Sequence, residues 1–305
     1  MWLTCGFISA ALLGFYDVCK KHALLDNAVI PVLLLNTIFC SLIFLPIVLC
    51  SLSGILHEGT LLFVPSGGWE VQKWIVLKAC IVLSSWLCAY FGMKHLPLTL
   101  VGPINATRPM MVLIGAIFVF GEKLNPLQWI GVILGIISFF LLSRSEKKEG
   151  IDFMHNRWVL MVILGAILGA VSGLYDKFLM ATPSNGGLGI NRMTMQSYYN
   201  FYQAGIMALM LVFLWWPHRK KSTPFLWRWS IPLISIFLTI ADFVYFYSLS
   251  LEGSMVSVIS LARRSSVIVS FLVAALLFHE KNLRSKAIDL TLLLLGMLFL
   301  YFGSK

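Results

Sequence analysis

"GFYD" stands at residues 14–17 and "GLYD" at residues 173–176, each near the end of a long apolar run. An acid at the same point of two such runs, 159 residues apart, points to an internal duplication. Aligning Asp17 with Asp176 also superposes Gly6, Ala10 and Gly14 on Gly165, Gly169 and Gly173, a small residue at every fourth position of one helix face. Such a ridge lets helices approach closely in lipid, so it is read as packing with no part in solute contact. Two further landmarks recur in order. "YFGMKHLPLTLVGPINATR" (90–108) matches "YFYSLSLEGSMVSVISLAR" (245–263), bringing Tyr90 onto Tyr245 and Arg108 onto Arg263, and "FGEKLNPLQW" (120–129) matches "FHEKNLRSKA" (278–287), bringing Glu122 onto Glu280.

The chain around these landmarks has 305 residues, of which 59% are hydrophobic and 12% charged. Its mean hydropathy is +0.88. Ordinary soluble domains carry roughly 25% charged residues, so the composition is that of a polytopic, all-α integral membrane protein. Stretches of about 18–24 apolar residues, each long enough to cross a bilayer core as a helix, are expected near 2–19, 29–49, 74–93, 98–120, 126–143, 157–180, 194–216, 230–250, 254–278 and 286–303. Only short loops are left, with no room for a soluble catalytic domain. No basic segment or small-residue cleavage site precedes the first run, which is expected to be retained as a span. The expected organisation is one five-helix repeat over 1–143, a basic connection over 144–156 and a second five-helix repeat over 157–305. An odd number of spans per repeat gives the two halves opposite orientations in the membrane.

Charge supports this parity. Loops after the odd-numbered spans hold Lys20, Lys21, Lys94, Arg144, Lys147, Lys148, Arg157, Arg219, Lys220, Lys221, Arg228, Lys281, Arg284 and Lys286, whereas the other side holds Lys73, Lys123, Arg192 and Lys305. Cytoplasmic loops concentrate Lys and Arg, so the bias places both termini outside the cytoplasm, with the chain in the cell (inner) membrane. The formal net charge of +10 is explained by these loop clusters, not by a nucleic-acid patch. Cys5, Cys19, Cys40, Cys50, Cys80 and Cys88 lie in or beside first-half spans without CxxC spacing and read as packing or lipid-facing residues.

The segment "GEKLNPLQWIGVILGIISFFLL" (121–142), with a weaker echo in "HEKNLRSKAIDLTLLLLGMLFLYFG" (279–303), resembles the EamA type of the drug/metabolite transporter superfamily. The resemblance extends over nearly the whole chain. It implies ten helices in two inverted five-helix repeats and a transport activity without cofactors. It also implies cytoplasmic termini, opposite to the charge bias, which is taken here as the guide to orientation.

A charged side chain at the bilayer centre costs about 2.5–3.5 kcal/mol on insertion scales, so Asp17, Arg108, Asp176, Asp242, Arg263 and Arg264 must face protein, water or a partner. Asp17 and Asp176 lie toward span ends. Lys20 or Lys21, one turn on, can pair with Asp17, so these acids read equally as scaffold and as coupling sites. Arg108 follows Asn105 by one turn, and Arg263 ends a series of Ser254, Ser257 and Ser260. Arginine offers a planar fork of donors suited to carboxylate or phosphate; the competing role is an Arg–Asp lock between helices. Pro103 and Pro109 bracket the Arg108 segment and predict a bent helix with freed carbonyls, the kind of break at which transporters bind solute.

"MQSYYNFYQAG" (195–205) sets Gln196, Tyr199, Asn200 and Gln203 along one face, and such amides need partners in hydrocarbon. Trp86, Tyr90, Asp242 and Tyr245 complete an expected aromatic and acidic wall. Glu122 and Glu280 read as turn residues capping the next helix. The six histidines show no metal-ligand spacing, so no metal site is expected. No hydrolase elbow, nucleotide-binding loop or ATP-binding domain is present, so energy must come from a gradient or a partner.

The residues thus point to a secondary transporter, not an enzyme. It would move a small polar metabolite, an amino acid or another anionic or zwitterionic solute, by alternating access. The candidate solute-binding residues are Arg108, Arg263, Asn105, Ser260, Trp86, Tyr90, Asp242, Tyr245, Tyr199, Asn200 and Gln203. Asp17, Asp176 and Asp242 are the candidate coupling residues, with protons as the candidate coupling ion. The rival readings are a flippase for a lipid-linked carrier, an intramembrane enzyme, and a subunit that only stabilises a complex.

Overall fold

The computed structural model describes residues 2–108, 110–112, 114–115, 125–147, 155–180, 183, 186–220, 222–250, 262–263, 265–277 and 283–303. Its regular structure is helical, with no strand among the described residues. The helices are α1 (Trp2–Leu24), α2 (Val29–Leu52), α3 (Trp69–His95), α4 (Leu98–Ala106), α5 (Pro126–Lys147), α6 (Arg157–Met180), α7 (Arg192–Met210), α8 (Ser230–Ser250), α9 (Ser266–Leu277) and α10 (Leu283–Gly303). Among these, α2, α3 and α6 are long and apolar enough to cross a membrane, and α5, α8, α9 and α10 contain shorter apolar stretches.

Helices α2, α5 and α6 carry stripes of exposed apolar side chains at helical spacing. Leu42, Leu45, Leu49 and Leu52 line one such face of α2, Ile130, Ile133 and Ile137 another on α5, and Leu160, Leu164, Ile167 and Val171 a third on α6. In water these faces would be a liability; in a bilayer they are the lipid contact. Lipid tails are as apolar as leucine, so burying apolar surface between helices adds little, and close packing with interhelical hydrogen bonds holds the bundle together.

The main helix pairs are α1 with α8, α3 with α6, α2 with α7, α5 with α10, and α9 with α1 and α4. Hydroxyls and small residues stitch them. Ser9 Oγ donates to the Ala241 carbonyl (2.7 Å) across α1–α8, and Ser85 Oγ to the Gly165 carbonyl (2.7 Å) across α3–α6. Ser138 Oγ donates to the Asp289 carbonyl (2.7 Å) across α5–α10. Leu33, Tyr90, Met93, Leu98, Ile104 and Ile234 belong to one continuous core cluster spanning both halves of the chain.

The expected fourth span over 98–120 departs from a straight helix. α4 stops at Ala106 and Thr107 forms a turn. Pro103 leaves the Thr99 carbonyl without its helical donor, and Thr107 Oγ1 ties back to the Ile104 carbonyl (2.7 Å). The chain is helical again at Arg108, beside the expected break, while Pro109 lies outside the described residues. The expected seventh span likewise ends in a π turn over Leu211–Trp215 and a 3-10 turn over Trp216–His218, where Pro217 supplies no backbone donor.

At the basic end of the bundle the two halves of the chain are strapped together. Asn27 donates to the Leu226 carbonyl (2.7 Å) and accepts from the Leu226 N–H (2.8 Å). Lys94 Nζ donates to Thr223 Oγ1 (2.6 Å), and Lys21 Nζ caps α3 at the carbonyls of Met93 (2.8 Å) and Leu96 (2.6 Å).

Candidate functional site

Among the described residues, the interior of the bundle holds three acid–base pairs. Asp17 pairs with Lys20 on the next turn of α1 (2.7 Å). Asp176 on α6 pairs with Lys78 on α3, and Asp242 on α8 pairs with Arg263, just before α9. Each acid has a partner because a lone charge in this setting would cost several kcal/mol.

The repeat-related acids therefore use different lysines: Asp17 takes one from its own helix, and Asp176 takes one from a neighbour. Lys78 was overlooked in the sequence reading although it is a lysine inside an expected span, which was signal enough. Asp242, expected in the aromatic and acidic wall, is locked to Arg263, the Arg–Asp pairing that competes with solute binding. The reason is geometric, since α8 and the segment before α9 face each other at that level.

Tyrosines flank the pairs. Lys20 Nζ sits 4.2 Å from the Tyr16 ring centre and 5.3 Å from that of Tyr90. Lys78 Nζ is 5.5 Å from the Tyr199 ring centre, and the Arg263 guanidinium 4.3 Å from that of Tyr245. A cation over an aromatic face keeps part of its electrostatic stabilisation after losing water. Tyr16 and Tyr90 thus flank the first pair, Tyr199 the second and Tyr245 the third.

Arg108 is the fourth cation. Its Nη2 donates to Asn105 Oδ1 (3.0 Å), and its Nε has no hydrogen-bond partner. Room for it is made by Gly169 on α6. A Cβ there would stand 2.7 Å from Arg108 Cζ and 2.9 Å from Nε.

This alters the reading of the small-residue ridge. Gly165 is a true packing contact, with the Ser85 carbonyl oxygen 3.0 Å and the Ala89 nitrogen 3.2 Å from an added Cβ. One turn on, Gly169 instead cradles a charged side chain.

Of the expected site residues, the structure brings Arg263, Asp242 and Tyr245 together, places Tyr199 beside Lys78 and Tyr90 beside Lys20, and joins Arg108 to Asn105. Asn200 and Gln203 are buried on α7, and Trp86 is partly buried against the core cluster. Ser254, Ser257, Ser260, Arg264, Glu122 and Glu280 lie outside the described residues. The sequence reading also passed over a polar contact between α2 and α8, in which Ser235 Oγ donates to Asn36 Oδ1 (2.9 Å) and Thr239 Oγ1 meets Cys40 Sγ (3.6 Å). Single Asn, Ser, Thr and Cys residues in apolar runs carry too little signal for their partners to be paired from sequence.

An all-helical chain with lipid-facing stripes and a charged, tyrosine-lined interior is a multi-pass membrane protein built around a polar centre. Comparison with known proteins gives a match over the first half of the chain: residues 1–144 are similar to the EamA-like transporter family. No curated protein matches the sequence. A solved protein crystal structure has a similar fold, with a TM-score of 0.63 at 14% identity over 98% of this chain and 97% of that one. The shared fold thus extends through the second half, beyond the family match.

Proposed function

We propose that the chain is a secondary transporter that carries a small anionic or zwitterionic solute through the Asp17–Asp176–Asp242 cluster by alternating access. The observation that carries this reading is the place of Arg108. Lys20, Lys78 and Arg263 pair with Asp17, Asp176 and Asp242. Arg108 stands outside these pairs, and its guanidinium, with a buried Nε left without a partner, suits a carboxylate or similar group. Arg263, Asn105, Tyr199, Tyr245, Tyr90 and Trp86 would line the path. Asp17, Asp176 and Asp242 would exchange protons as their lysine or arginine partners release them. No step in this scheme makes or breaks a covalent bond in the solute.

The architecture proposed with it is ten spans in the inner membrane, as inverted repeats over 1–143 and 157–305 joined by 144–156. The helix pairs support it: exchanging α1–α5 for α6–α10 turns the α1–α8 pair into α6–α3, and returns α2–α7, α4–α9 and α5–α10 to themselves. Both termini would lie outside the cytoplasm. Single cysteines introduced at Lys148 and Lys220 should then be protected from an impermeant thiol reagent applied to intact cells and react once the membrane is opened. Labelling of either from outside would reverse the orientation.

The reading is tested by flux. Purified protein in liposomes should exchange at least one member of a panel of amino acids, sugars and phosphorylated metabolites faster than empty liposomes do, and Arg108→Gln should remove that exchange.

A further inference from the structure

Five buried polar atoms on α2 and α7, two helices that pack together, have no hydrogen-bond partner in the protein: Asn36 Nδ2, Gln196 Oε1, Ser197 Oγ, and both Nε2 and Oε1 of Gln203. Asn36, Ser197 and Gln203 are wholly buried and Gln196 is 1% exposed. Unsatisfied buried polar atoms are rare, a few per hundred residues at most, so such a concentration at one contact calls for a partner. Helix periodicity explains the arrangement. Gln196, Asn200 and Gln203 recur along one face of α7, and Asn200 is already used, its Nδ2 donating to the Gln196 carbonyl (2.7 Å).

α7 runs antiparallel to α2. Met193 packs with Phe44 and Val48 near one end, and the π turn that follows α7 also contacts α2. Gln203 therefore falls at the level of Asn36 and Cys40. Tyr199, on the same helix, stands beside the charged Lys78, whose Nζ is 5.5 Å from its ring centre.

We infer that this face is a solute subsite that recognises a neutral carboxamide. The inference rests on the transport reading above and narrows its solute. The three acid–base pairs leave one free positive charge at Arg108, enough for one anionic group. What remains unmatched on α7 and α2 is neutral, and Gln203 offers a donor and an acceptor side by side. A carboxamide presents the complementary acceptor and donor and can pair with Gln203 through two hydrogen bonds, leaving Asn36 Nδ2 to donate to the same carbonyl oxygen. A carboxylate in its place would be acceptor-only against Gln203 Oε1 and Gln196 Oε1. An alkyl group would leave all five atoms unpaired, the situation in which a site built for hydrogen bonds discriminates most strongly.

The test is exchange of L-glutamine, L-glutamate and L-methionine, near-isosteres that differ at the side-chain end, by the full chain in proteoliposomes. Melting temperatures of the wild type and of Gln203→Met and Gln196→Met are measured beside it. Glutamine should exchange at least about tenfold faster than the other two. In Gln203→Met the glutamine-to-methionine ratio should fall to about one while the melting temperature holds or rises, because an apolar chain of equal length removes two unpaired polar atoms. Gln196→Met should narrow the ratio less. Equal exchange of all three amino acids would overturn the subsite and leave the transport reading standing. No exchange of any of them by folded protein would remove the amino-acid form of that reading and the subsite with it. A lower melting temperature in Gln203→Met with the ratio unchanged would show that these amides only hold α2 against α7.

Discussion

Arg263→Ala is expected to cost about 3–5 kcal/mol of folding stability, because it leaves Asp242 as an uncompensated charge between helices. The pair is largely enclosed, with side-chain exposures of 17% and 15%, so solvent screening removes little of this penalty. Removing both charges should be milder. The double variant Arg263→Ala with Asp242→Ala is expected to be more stable than the single one, and the cycle coupling measures the pair directly. Arg263→Lys keeps the charge and loses the planar face stacked on Tyr245, so it should fold nearly as the wild type and transport poorly. Thermal unfolding beside solute exchange separates the outcomes. A large fall in melting temperature for Arg263→Lys with full exchange would make this arginine a helix lock and place the solute elsewhere.

The small-residue ridge of α6 should divide by function between adjacent turns. Gly165→Ala drives a methyl group into the backbone of α3, 3.0 Å from the Ser85 oxygen, and the two helices must separate; a loss of about 1–3 kcal/mol is expected. Gly169→Ala meets only the far end of Arg108, which can swing away. Its stability should fall less while exchange falls strongly, because the guanidinium leaves its place beside Asn105. Expression and melting temperature read the first variant; exchange at matched protein amounts reads the second. Equal stability losses with unchanged exchange in Gly169→Ala would return the whole ridge to packing alone.

Long apolar runs, the repeated landmarks and the loop charges made the helical membrane architecture legible, since each is a property of a segment by itself. The Asp17–Lys20 pair was legible for the same reason, being one turn apart on one helix. What sequence could not supply was partner choice between helices. Asp242 had no partner assigned because Arg263 reaches it from another element, and Gly169 read as plain packing because only the fold brings Arg108 against it. Lys78 is a different kind of miss: a lysine inside an apolar run announces a buried partner whatever the fold, and Asp176 is that partner. The break after α4 was legible through Pro103, whereas the π turn after α7 was not, as nothing in "LVFLW" (211–215) departs from ordinary helix formers.

The central claim is that solute crosses the membrane through the charged cluster around Arg108. Exchange by the purified wild-type chain in sealed liposomes, beside Arg108→Gln reconstituted at equal amount and shown to be folded, tests it most directly. The account predicts solute-specific exchange by the wild type and loss of at least about tenfold in the variant, since glutamine keeps hydrogen-bonding capacity and removes only the charge and its fork. Wild-type exchange that survives Arg108→Gln undiminished, or no exchange above empty liposomes for any amino acid, sugar or phosphorylated metabolite, would contradict it.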